Sequence, residues 1–178
     1  MVETLYRPDS NETLFAVADE GRVEESHAVE AEGVGKLVPH SPTNNLLAHK
    51  IIAFPSAAAD YTAEDVLANA IRAFIHRYAD VSESFEEVAT YYVLLTWVYD
   101  AFNELPYLRF KGDFGTGKSR CLQTIGSLCY KPMFASGAST VSPLFRIIDI
   151  FRGTLVIDEA DFRFSDDRAE IVKILNNG

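Results

Sequence analysis

The chain has 178 residues, room for one domain and a small extension. Its 48% apolar content supports a buried core, and Cys121 and Cys129 alone exclude a disulfide framework and a zinc site. The net charge of −10 is uneven: residues 1–60 hold 4 basic and 10 acidic side chains, 61–106 hold 2 and 8, and 107–178 hold 10 and 8. Any polyanion contact is therefore expected near the third segment or on parts outside these residues.

The opening "MVETLYRPDS" has no basic stretch followed by an apolar run, so no export signal is read there and a cytoplasmic protein is expected. Residues 1–60 read as a small β-rich segment. "TLFAVAD" (13–19) and "KIIAFP" (50–55) are expected strands, and "DEG" (19–21), "EGVG" (32–35) and "PHSPTNN" (39–45) expected turns. His27, His40 and His49 have no metal-ligand spacing and are read as surface or structural residues.

Residues 61–105 read as a helical pair. The first helix covers 62–79, with Thr62 as expected N-cap, Asp65 three positions on, and an apolar face of Val66, Leu67, Ala70, Ile71, Phe74, Ile75 and Tyr78. The second covers about 84–103, with Ser84 and Glu87 as a capping box. Its apolar face is Val88, Tyr91, Tyr92, Leu95, Val98, Tyr99 and Phe102. Helical spacing without interleaved basic residues favours core packing over base stacking. "VATYYVLLTWVYDAF" (88–102) is broken by Asp100 and is shorter than the roughly 20 residues that span a bilayer, so no membrane contact is expected.

From Pro106 strands and helices alternate. "YLRFK" (107–111) is an expected strand, "GKSRCLQTIGSLCY" (117–130) a helix carrying both cysteines, and "MFASG" (133–137) a strand. Ser142 and Pro143 are expected to open a helix as N-cap and N1, "TLVID" (154–158) is a buried strand, and 166–178 is a helix. This order predicts an α/β fold: a parallel sheet with crossover helices.

Within it, "GDFGTGKS" (112–119) matches G-x-x-x-x-G-K-[ST], with a strand before and a helix after. A chance match in a chain this long is on the order of 1% given average glycine usage. Gly112, Gly115 and Gly117 let the backbone turn its N–H groups inward, with Asp113, Phe114 and Thr116 completing the cradle. The helix N-terminus adds partial positive charge. Lys118 is expected on the β- and γ-phosphates of ATP and Ser119 on Mg²⁺.

"TLVIDEAD" (154–161) supplies a second motif. Asp158 is expected as the Walker B magnesium ligand and Glu159 as the catalytic group that polarises the attacking water. "DEAD" (158–161) also spells the RNA-helicase motif, but those proteins carry a different phosphate loop and a longer interval. Asp161 and Arg163 are read as surface residues.

The acid pair and the compact interval resemble AAA+ P-loop NTPases, most closely the superfamily-three helicases. Residues 85–178 are similar to replication helicase- or primase-associated ATPases of phages, plasmids and integrated elements. The resemblance implies a three-layer α-β-α core whose N-terminal part is 106–178. It implies an ATP-hydrolysing motor on DNA, in a homo-oligomeric ring. A core of this type has a further strand with a polar sensor and an arginine finger, so a truncated core with weak turnover is expected. Arg146, Arg152 and Arg163 qualify as the finger by charge alone, and Arg146 is spaced to pair with Asp149. The same motifs serve an ATP-dependent protein remodeller, loader or switch, with the helical pair as its docking element.

Overall fold

A computed structural model describes residues 1–135 and 141–158, the side chains of 141–145 excepted. Glu159, Asp161, Arg163 and the expected helix at 166–178 lie outside the described residues, as do the last two residues of "MFASG". The chain is mixed α/β, with small sheets of which one is parallel. It divides into two compact units, Met1–Asp60 and Tyr61–Gly178.

In the first unit, β1 (Val2–Arg7), β2 (Glu12–Asp19) and β3 (Arg22–Ser26) form an antiparallel sheet. Leu5, Leu14 and Ala16 share one face and cluster there, while Thr4, Thr13 and Phe15 are buried on the other. The β2–β3 turn falls at Glu20–Gly21, both at positive φ, as a tight hairpin turn requires. β4 (Val29–Ala31) and β5 (Gly35–Leu37) form a second hairpin around the expected turn at 32–35.

The expected strand at 50–55 is absent. A short helix, α1 (Asn45–Ala48), occupies the end of the expected turn, capped by Asn44 Oδ1 accepting from Leu46 N. Lys50 then turns left-handed at φ 55, and the N–H groups of Lys50 and Ile51 bond back to Leu47 and Leu46. Those backbone groups are spent on ending the helix, so 50–55 is left with a single bridge at Ile52.

The second unit opens with α2 (Glu64–Tyr78) and α3 (Glu83–Trp97). Neither expected cap forms. Thr62 sits at φ 66 and Ala63 takes the cap position of α2, without a side-chain bond; Glu64 and Asp65 supply first-turn negative charge instead. Ser82 rather than Ser84 holds the cap position of α3. Tertiary contacts fix that start: Glu83 bonds Arg72 at 2.9 Å, and buried Glu86 bonds His76 at 2.7 Å and Arg72 at 3.4 Å. The His76 hydrogen bond, with help from Arg72, holds the Glu86 carboxyl below the usual carboxylate range against the effect of burial.

The buried face of α3 is also not the expected one. Glu86, Ala89, Thr90, Val93 and Thr96 are buried, whereas Val88, Tyr91, Val98 and Phe102 are exposed. Small residues at Ala89, Thr90 and Val93 let neighbouring helices approach closely; Tyr92 of the expected face still packs on this core, whereas Tyr91 is left exposed. On α2, Ile71 and Ile75 are buried, but Val66, Phe74 and Tyr78 stay exposed. α3 ends at Trp97, short of the expected 103, and a 3₁₀ turn at Tyr99–Ala101 follows.

Residues 107–111 pair with no strand among the described residues, contrary to expectation. Their alternation still expresses itself in packing: Leu108 and Phe110 lie against the helical core, with Phe110 edge-to-face on Phe85 at 5.6 Å. A strand needs a partner as well as a pattern.

α4 (Lys118–Gly126) follows the glycine-rich loop and ends before the expected 130. The N–H groups of Leu128 and Cys129 reach only three residues back, and Ser127 Oγ donates to Thr124 O, so the helix tightens and closes. Cys129 therefore lies past the helix that carries Cys121. Both thiols are buried and free in a core with Ile71, Ile75, Ala79, Ala89, Val93 and Ile125. Each large aliphatic member contributes about 1.5–3 kcal/mol.

β6 (Met133–Ala135), α5 (Val141–Phe151) and β7 (Leu155–Ile157) form a crossover unit, with β6 and β7 parallel as expected. Ser142 lies inside α5 rather than at its cap. α4 packs on α2, α3 and β7, which joins the helical pair to the parallel strands. Gly126 makes the last contact possible: a Cβ there would meet the two Val156 methyls at 2.9 and 3.0 Å.

Candidate functional site

The site grows from the loop 112–119 at the head of α4. Gly115 has φ +80 and Gly117 φ +81, a left-handed backbone that a side chain would strain. Gly117 is the N-cap of α4, and its carbonyl accepts the first helical bond from Cys121 N at 3.0 Å. Gly112 has a steric reason to be glycine, because an added Cβ would fall 2.8 Å from Thr116 Oγ1. That hydroxyl instead donates to Asp113 O at 2.8 Å, drawing the loop into a ring.

Lys118 closes the ring. Its Nζ donates to Gly112 O at 2.7 Å and to Asp113 O at 2.5 Å. The ammonium therefore spans from the end of the loop back to its beginning. Ser119 is exposed in the first turn of α4, and Phe114 is fully exposed at the tip. No acidic residue sits in that first turn, which instead carries Lys118 and Arg120. Two cations, a helix N-terminus and backbone N–H groups released by left-handed glycines give a local field suited to an anion.

Asp158 follows β7 directly and is partly buried. It leaves the C-terminal edge of the β6–β7 pair, the edge at which parallel sheets hold ligands. The contact of Gly126 with Val156 ties the helix that starts at the loop to the strand that ends at Asp158. The structure thus brings Gly112, Asp113, Thr116 and Lys118 together directly. The helix that starts at the loop meets the strand preceding Asp158 only at its far end, where Gly126 packs on Val156, and Glu159 lies outside the described residues.

Ser119 and Asp158 carry hard oxygen donors, the type Mg²⁺ takes. Among the described residues no group of three His, Cys, Asp or Glu side chains is placed to hold a metal ion. No described helix is long and apolar enough to cross a membrane.

Two positions escaped the sequence reading. Gly126 and Gly153 stand at the close approaches that fasten β7 to α4 and to the turn after it. The only sequence signal is the glycine itself, one ending a helix and one preceding a buried strand. Comparison of the chain with protein-family models, with curated proteins and with solved structures gives no match.

Proposed function

We propose that residues 112–119 bind the phosphates of ATP and that the chain is an ATP-hydrolysing P-loop NTPase of the AAA+ type. The observation that carries this reading is the ring of the loop: left-handed Gly115 and Gly117, a helix start free of acids, and the Lys118 ammonium held over the carbonyls of Gly112 and Asp113. On binding, Lys118 exchanges those carbonyls for phosphate oxygens, and the loop N–H groups take the rest. Ser119 and Asp158 would hold Mg²⁺, whose role is to neutralise phosphate charge. Glu159, next to Asp158, orients the attacking water and takes its proton.

The energy released drives a motor on DNA, in the manner of helicase- or primase-associated ATPases of mobile elements, working as a ring in the cytoplasm. DNA-stimulated hydrolysis and strand unwinding test this, and absence of both in a chain that binds MgATP defeats the motor reading. One observation favours the remodeller instead: Val88 and Tyr91 leave apolar surface of α3 open to solvent. A protein partner retained only with ATP, in the absence of DNA binding, would select that reading.

A further inference from the structure

α4 has two ends, and the second is also unusual. Beyond it the chain enters a corner where aromatic and basic side chains from separate segments meet. Trp97 closes α3, Tyr99 lies in the 3₁₀ turn, and Tyr130 and Lys131 follow α4. The Trp97 and Tyr130 rings meet edge-to-face at 5.3 Å, and Tyr99 and Tyr130 meet at 5.7 Å. The Lys131 ammonium stands 4.7 Å from the centre of the Tyr130 ring.

The group is held rigidly. Trp97 Nε1 donates to Leu128 O at 2.9 Å, and Tyr130 N donates to Thr96 Oγ1 at 3.0 Å. Thr154 N donates to Tyr130 O at 2.9 Å, so the backbone two residues after exposed Arg152 is bonded to this corner. Trp97 nevertheless remains 44% exposed. Its single polar atom is already engaged, so its exposed area is carbon. A fixed aromatic face with a cation beside it, and a second basic residue two positions from a residue bonded there, has the composition of a base-stacking surface. On α3 alone the aromatic stripe has no basic neighbours, and the fold brings Lys131 from beyond the far end of α4.

We propose that Trp97, Tyr99, Tyr130, Lys131 and Arg152 form a platform for single-stranded nucleic acid. An unpaired base lies on the Trp97 indole, and Lys131 and Arg152 meet the flanking phosphates. The inference deepens the motor reading and rests on its nucleic-acid partner. Duplex bases are already stacked on one another, so the platform selects unpaired strands. Asp100, beside Tyr99 and exposed, is the neighbouring acid that opposes phosphate.

Trp97 is the sole tryptophan of the chain, so its emission reports this corner alone. Titration with oligothymidylate and with oligouridylate is expected to quench it, and a duplex of the same length is not. Quenching by either strand supports the platform, and the tighter one identifies the natural strand. Anisotropy of a labelled oligonucleotide is expected to show about 10–100-fold weaker binding for Trp97→Ala and retained binding for Trp97→Phe. Lys131→Gln and Arg152→Gln, which keep the aromatic group, should each lower the slope of log affinity against log salt by about 0.7.

Absence of quenching by both strands overturns the platform. So does oligonucleotide binding that leaves Trp97 emission and the affinities of all four variants unchanged. Binding of a fluorescent ATP analogue with Mg²⁺ in the same sample separates the two readings. ATP binding without quenching removes the platform alone, and quenching without ATP binding removes the ATPase reading alone.

Discussion

The entry into β7 leaves no room for a methyl group at residue 153. A Cβ on Gly153 would fall 2.6 Å from Lys131 Cβ and 3.0 Å from the Lys131 carbonyl carbon, and would collide with the carbonyl oxygen. Two of these three atoms are backbone and cannot swing aside. Relief of Gly153→Ala requires the segments around 131 and 153 to part. That strains the bonds from Thr154 N to Tyr130 O at 2.9 Å and from Met133 N to Thr154 O at 2.8 Å. Two backbone bonds at about 1 kcal/mol each, with about 1–3 kcal/mol for overpacking, give a loss of about 3–5 kcal/mol. At about 4 °C per kcal/mol this lowers Tm by about 12–20 °C. Thermal and urea unfolding followed by Trp97 emission reports on the unit that contains the junction. Gly126→Ala is the comparator: its Cβ meets only side-chain atoms, and alanine regains about 1 kcal/mol in a helix. A Gly153→Ala loss below about 1 kcal/mol, or equal to that of Gly126→Ala, would refute the claim that backbone approach at 153 holds β7 in place.

Further outcomes follow from other contacts. The depressed Glu86 carboxyl contributes stability that is complete above its ordinary pKa of 4.5 and is lost as pH falls through the lower folded value. The urea midpoint of the native chain should therefore fall more steeply below that pH than that of Glu86→Gln, and parallel curves would contradict the His76 and Arg72 contacts. Burial pushes the Cys129 thiol up to about 11 and that of Cys121 upward too, so a thiol reagent at mildly alkaline pH should label both only as fast as the unit opens. Glu159→Gln is expected to bind ATP normally while turnover drops by about 10²–10⁴-fold, and undiminished hydrolysis would remove Glu159 from the mechanism.

The parts of this chain that were legible in its sequence are those decided locally. The hairpin turn at Glu20–Gly21 needs positive φ, and a short apolar run between polar ends marks β7. The glycine pattern at 112–119 is read without any knowledge of the rest, because its left-handed turns and helix start are properties of adjacent residues. What escaped was decided by distant partners. Glu86 is charged and carries no core signal in the sequence, yet it is buried, bonded to His76 and Arg72 in the first turn of α3. The aromatic positions of α3 look like a core face by spacing. Ala89, Thr90 and Val93 took the close contact, with Tyr92 packed against the same core and Tyr91 left exposed. Leu108 and Phe110 alternate as a strand should, but alternation cannot supply a hydrogen-bonded neighbour. The corner around Trp97 is assembled from residues more than thirty positions apart, beyond the reach of any local pattern.

The central claim is that the ring from Gly112 to Ser119 is a phosphate cradle closed by Lys118. The direct measurement is equilibrium binding of a fluorescent ATP analogue, with and without Mg²⁺, to the native chain and to Lys118→Ala. Removing charge-assisted bonds worth about 1.5–3 kcal/mol should weaken binding about 10–100-fold while the fold, read by circular dichroism, is unchanged. Saturable, Mg²⁺-dependent binding that falls in this way is the predicted result. No binding by the native chain, or equal binding by Lys118→Ala, would contradict it.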